Sequence, residues 1–112
     1  MDSIRQKKIS RLLQKDLGEI FQREVNDILL GTMVSVTAVR VSPDLGIAKV
    51  YISIFPSKNK DEVFEQVKQH TSKVRHLLGK RVGKQLRVVP DLSFYIDDSL
   101  DYIDNIDKLL KE

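Results

Sequence analysis

Apolar residues recur at helical spacing through the first quarter of the chain, at Ile9, Leu12, Leu13, Leu17, Ile20, Phe21, Val25 and Ile28. Steps of three and four place them on one stripe of a helix. Ser3, followed three positions later by Gln6, can close a capping box at its start. The pattern predicts a long amphipathic helix ending near Gly31. The period then changes. Val34, Val36, Thr37, Val39 and Val41 make the stretch from Met33 to Ser42 rich in β-branched residues, and Ser42-Pro43-Asp44-Leu45-Gly46 is turn chemistry. Ala48, Val50, Ile52 and Ile54 alternate with Lys49, Tyr51 and Ser53. This predicts a β-hairpin whose second strand turns an apolar face to helices and a polar face with Lys49 and Tyr51 outward.

A second helical stretch runs from about Asp61 to Lys84, with Val63, Phe64, Val67, Val74, Leu77, Leu78 and Val82 as its buried stripe. His70 and Thr71 interrupt that stripe, and a kink or break there gives two shorter helices. Ser72, Gly79 and Gly83 line up opposite the core. Such small residues let a helix backbone approach another surface closely; alternatively, the two glycines permit tight packing or end the helix. Leu92, Phe94 and Ile96 alternate with Ser93 and Tyr95 as a third strand, which starts at Pro90 or lies at an edge because Pro90 cannot donate a ladder hydrogen bond. Ser99 caps a last helix with Leu100, Ile103, Ile106 and Leu110 on its apolar side, and Asp97, Asp98 and Asp101 at its N-terminal dipole. A right-handed helical crossover makes the second and third strands parallel. The expected fold is α+β, with a three-stranded mixed sheet in order 1-2-3 and helices on one face.

Charge adds a second layer. Lys68, Lys73, Arg75, Lys80, Arg81, Lys84 and Arg87 fall between Gln66 and Arg87 with no acid among them, leaving 12 basic and 16 acidic residues elsewhere, a net of −4. A one-signed cluster on an otherwise acidic chain draws a polyanion, nucleic acid first. The bland reading is a solvated helix face, although such faces usually mix signs. In the first helix Lys7, Lys8, Arg11 and Lys15 precede Asp16, Glu19, Glu24 and Asp27, so a polyanion should favour its N-terminal end. Arg81 falls on the apolar side of a regular helix, which requires fraying or a snorkelling stem.

At 112 residues, 41% hydrophobic and 31% charged, the chain reads as one globular domain over residues 1–112. It has no cysteine, which removes disulfides and thiolate sites and agrees with a reducing cytoplasm. No apolar run approaches the roughly 20 residues of a membrane span. Catalytic signals are thin. His70 and His76 share no regular helix face, so a shared metal is not expected. Leu77-Leu78-Gly79-Lys80 looks like the end of a phosphate loop, but the preceding glycine and following Ser/Thr are missing. Asp97-Asp98 is better explained by capping than by acid-base chemistry. A small hydrolase or transferase would need a polar pocket with a perturbed acid or base. No cofactor or small-molecule substrate is expected.

The order α-β-β-α-α-β with a basic crossover is that of the type II KH domain, whose GXXG loop clamps single-stranded RNA backbone. That loop is absent, since Gly79 to Gly83 has one residue too many. Val41-Ser42-Pro43-Asp44-Leu45 with Ala48-Lys49-Val50-Tyr51, then Val74-Arg75-His76-Leu77-Leu78-Gly79-Lys80, then Leu86-Arg87-Val88-Val89-Pro90-Asp91-Leu92-Ser93-Phe94 resemble the ribosome-binding factor A family. This bacterial family has a KH-like domain in which an Ala-x-Gly kink replaces GXXG. The kink motif falls here on His70-Thr71-Ser72, with neither the alanine nor the glycine, and Ser72 is a candidate to hold it by bonding a backbone carbonyl.

The resemblance implies a type II KH-like fold with a kinked helix pair and a C-terminal helix. It implies a cytoplasmic, monomeric, non-enzymatic factor that binds the immature small ribosomal subunit and its rRNA, assists late maturation and rRNA 5′-end processing, and acts notably in the cold. The expected RNA contacts are Lys68, Lys73, Arg75, Lys80, Arg81, Lys84 and Arg87, with Lys49 as a weaker candidate beside Tyr51. His70, Thr71, Ser72 and Gly79 are the kink and close-approach positions. Few aromatics lie near the cluster, so base stacking should be minor. The competing reading is a regulatory or protein-interaction module of the same fold that binds an acidic protein.

Overall fold

The computed structural model describes residues 3–29, 31–55 and 59–97. Its elements are α1 (Ile4–Arg23), a short 3-10 turn (Asn26–Leu29), β1 (Met33–Val41), β2 (Ile47–Phe55), α2 (Lys60–Gln69), α3 (Thr71–Val82) and β3 (Asp91–Ile96). The helix expected from Ser99, with its stripe of Leu100, Ile103, Ile106 and Leu110, lies outside the described residues.

The capping box forms. Ser3 Oγ accepts from the Gln6 amide at 3.1 Å, while Gln6 Oε1 accepts from the Ser3 amide at 2.8 Å. The Gln6 side-chain amide nitrogen also donates to the Val41 carbonyl at 2.9 Å, so this buried side chain pins the start of α1 to the end of β1. At its other end α1 stops at Arg23, short of Gly31. The Val25 amide bonds back to Ile20 O instead of continuing the α-helical ladder, and the chain tightens so that Val25 and Leu29 both reach the core. Gly31 then takes φ +78°, where a side chain would be strained.

The sheet has the order β1-β2-β3, antiparallel then parallel, as the hairpin and crossover predict. Its register sets Val50 beside Val39 and Phe94, and Ile52 beside Val36 and Ile96. These residues share the apolar face with Ala48 and Ile54, against Leu13, Leu17, Ile20 and Phe21 of α1 and Val63, Val67, Val74, Leu78 and Val82 of α2 and α3. Each such aliphatic side chain contributes about 1.5–3 kcal/mol on burial, which makes this shared layer the main source of stability. The Phe21 and Phe94 rings meet edge to face at 6.0 Å. A bulge at Thr37 shifts the β1–β2 register between Val36 and Ala38. Beyond Pro90, Asp91 opens β3 by donating its amide to Gly46 O at 2.9 Å.

Candidate nucleic-acid interface

The break between α2 and α3 falls at His70, whose φ −101° and ψ 19° leave the helical region. The His70 amide still bonds Gln66 O at 3.0 Å, and beyond it side chains of the break accompany the backbone in satisfying the last carbonyls of α2. His70 Nδ1 lies 2.8 Å from Gln66 O and must carry the proton, because a carbonyl can only accept. Thr71 Oγ1 donates to Lys68 O at 2.7 Å and sits 3.4 Å from Val67 O. The hydroxyl that holds the break is therefore that of Thr71, whereas Ser72 stands exposed on the first turn of α3. Thr71 is nearer because it directly follows the non-helical residue and faces the last carbonyls of α2.

Along α3, Ser72, Arg75, His76, Gly79 and Lys80 border an open groove of about 580 Å³, closed on the far side by Val89. Arg75 builds that wall. Its Nη2 donates to Val89 O at 2.7 Å and its Nε to Pro90 O at 3.2 Å, with Asp91 Oδ1 at 3.6 Å from Nε. One guanidinium thus fastens the segment before β3 to the helix, as a planar fork with several donors can. At Gly79 an added Cβ would touch Val89 Cγ2 at 3.5 Å, an ordinary contact, so the missing side chain widens the groove. At Gly83 it would lie 2.8 Å from Gly79 O, closer than a real Cβ tolerates; this glycine allows the chain to leave α3.

The seven cations separate into groups. Lys73, Lys80, Lys84 and Arg87 are exposed and form no ion pair among the described residues. Lys68 pairs with Glu65 at 3.1 Å and lies over the Phe64 ring at 5.0 Å, which weakens its pull on a further anion. Arg75 is half-buried in the wall just described. Arg81 departs from the expected set: it points to α1, with Glu19 Oε2 at 2.5 Å, Glu24 Oε2 at 3.5 Å and Asp16 Oδ1 at 3.6 Å. The hydrogen bond to Glu19 raises the already high pKa of Arg81, so its charge is permanent but already neutralised inside the fold. Lys49 lies away from all of these, on the outward face of β2.

His76 also borders the groove, although it lies outside the expected contact set. The signal that finds it is spacing, since Ser72, His76 and Lys80 follow one another at four-residue intervals along the groove. Among the described residues no group of three or more His, Cys, Asp or Glu could hold a metal, and no helix is long and apolar enough to cross a membrane. The groove can therefore offer cations and a bare stretch of helix backbone to an extended anion. Its polar groups do not include a nucleophile with a base in hydrogen-bond reach.

Comparison with known proteins bears on this geometry. A family profile described as Ribosome-binding factor A matches residues 5–110. Ribosome-binding factor A of Christiangramia forsetii is 51% identical over 108 residues, covering 96% of this chain and 82% of that protein. The protein of the same name in Cytophaga hutchinsonii is 40% identical over 112 residues, covering all of this chain and 84% of that protein. In structure, the chain resembles the crystal structure of ribosome-binding factor A from Thermus thermophilus, with a TM-score of 0.68 at 23% identity, over 81% of this chain and 94% of that one. It also resembles a homology model of Thermus thermophilus ribosome-binding factor A fitted into the cryo-EM map of its complex with the 30S subunit, with a TM-score of 0.62 at 23% identity, over 80% and 91% of the two chains.

Proposed function

Because the chain belongs to the ribosome-binding factor A family, we propose that it is an assembly factor that binds the immature small ribosomal subunit and meets its rRNA through the α3 groove. The observation that carries the contact is Lys80 on the groove beside Ser72 and Gly79, with Lys73, Lys84 and Arg87 exposed on the same segment and without acidic partners among the described residues. A phosphate chain fits that surface, because the exposed cations beside it neutralise it while the small residues allow close approach. Arg75 supports the site by fixing its wall. Arg81 is left out of the contact set.

The finer role follows the same reading. A factor of this kind assists late maturation and rRNA 5′-end processing, most visibly at low temperature, in the cytoplasm and as a monomer. In this reading the chain works as a KH-like domain. It acts by binding, with no catalytic step of its own.

Charge reversal tests the contact. A Lys73→Glu, Lys80→Glu protein that folds normally should no longer co-sediment with free small subunits. For the parent, log affinity should fall with log salt by roughly 0.7 to 0.9 per phosphate engaged. Unchanged co-sedimentation of the variant would sink the reading, and salt-sensitive binding to an acidic protein but not to the subunit would replace it.

A further inference from the structure

The open face of the sheet holds chemistry that the α3 groove does not use. Antiparallel register sets Arg40 of β1 directly opposite Lys49 of β2, and parallel register sets Tyr51 of β2 beside Tyr95 of β3. Both cations are exposed, and neither forms an ion pair among the described residues. Like charges in direct cross-strand register cost stability, so their pairing here calls for an anion. The nearby acids are engaged elsewhere. Asp44 is held by the Ser42 hydroxyl at 2.7 Å and the Gly46 amide at 3.0 Å, Asp97 by the Thr37 hydroxyl at 2.7 Å, and Asp91 faces Arg75. The Tyr51 and Tyr95 rings stack with centroids 5.5 Å apart at 27°, and Tyr95 remains 41% exposed. Arg40, Ser42, Pro43, Ile47, Lys49 and Tyr51 line a depression of about 410 Å³ beside them.

We propose that this face is a second RNA site, which takes unstacked nucleotides of a single strand. A base lies on the tyrosine pair, and its phosphate lies between Arg40 and Lys49. Charge complementarity selects a polyanion, and the exposed ring selects one that carries flat bases over a merely acidic polypeptide. Aromatic side chains on neighbouring strands of an open sheet receive bases in this way, with little dependence on sequence because every base has a π face. The site rests on the proposed RNA-binding function and extends it from phosphate contact to base stacking. Stacking is therefore not minor for this chain; it lies on the sheet and away from the helix cluster.

The chain has three tyrosines and no tryptophan, so tyrosine fluorescence, to which the stacked pair contributes, is not masked by indole emission. Titrating the intact protein with a short oligouridylate should quench that emission saturably. Tyr95→Ala should weaken binding roughly 5- to 100-fold, as loss of one base-stacking ring does, while Tyr95→Phe should keep most of the affinity. Lys49→Gln should lower the salt slope by about one phosphate. Equal affinity of parent and Tyr95→Ala would overturn the proposal. If that variant folds poorly, a Lys49→Gln salt slope equal to the parent's does so instead. Tyrosine-independent binding of polyglutamate in preference to the oligonucleotide would also overturn it. A Lys73→Glu, Lys80→Glu protein separates the two readings: losing the subunit but keeping the oligouridylate quench supports both, and the two assays fail independently.

Discussion

Arg81 of α3 and Glu19 of α1 form the shortest ion contact described in the structure, 2.5 Å between Nη1 and Oε2, across 62 residues of sequence. Glu24 and Asp16 flank the same guanidinium, so the arginine joins two helices and does not face a ligand. Its neighbour Lys80 lies on the groove. Adjacent charges therefore have opposite roles. Arg81→Gln should lower the thermal midpoint while leaving small-subunit affinity within about twofold for the folded protein, and Lys80→Gln should do the reverse. Paired thermal melts and sedimentation check this. A loss of affinity with Arg81→Gln comparable to that with Lys80→Gln would return Arg81 to the contact set.

The same contact makes stability depend on acid. The hydrogen bond from Arg81 is the main cause that holds the Glu19 carboxyl below its ordinary 4.5, with the charges of Arg81, Lys15 and Arg23 adding to it. A carboxylate with a lowered folded-state pKa contributes its full stabilisation above the unfolded value and loses it as pH falls through the folded one. The thermal midpoint should thus fall as pH drops below about 4.5. In Glu19→Gln that fall should be shallower, with a lower midpoint at neutral pH. Melting curves from about pH 3 to 7 measure the difference.

Gly79 separates packing from approach. An alanine fits, since its Cβ would meet Val89 Cγ2 at 3.5 Å, and alanine is favoured over glycine in a helix interior by about 0.5–1 kcal/mol. Gly79→Ala should therefore stabilise the fold in denaturant titration while weakening subunit binding several-fold, because the methyl group enters the groove. A stabilised variant with full affinity would show that the glycine is required neither for packing nor for approach to the subunit.

Gln6 carries two structural duties, as the third residue of the capping box and as the donor to Val41 O. Gln6→Ala removes both and leaves a carbonyl without its partner, a loss of about 1–3 kcal/mol. Ser3→Ala removes only the half of the box made by the Ser3 hydroxyl and should cost about 1 kcal/mol. Urea unfolding should show the larger loss in Gln6→Ala, because only that variant also breaks the bond between α1 and β1.

The amino-acid sequence alone determined what depends on neighbours: the capping box at Ser3, the hairpin around Pro43, the break next to His70, the strand after Pro90 and the parallel crossover. Each rests on periodicity, a turn residue or a chirality rule acting within one or two elements. It also placed seven charges on one segment, but it could not divide them. Only the tertiary structure turned Arg81 to the acids of α1, fastened Arg75 to Val89 and Pro90, ended α1 at Arg23 and stacked Tyr51 on Tyr95. The reason is physical. A side chain's charge and size are local properties, whereas its partner is set by the packing of elements far apart in the chain. A helix turned by one residue would have exchanged the roles of Lys80 and Arg81.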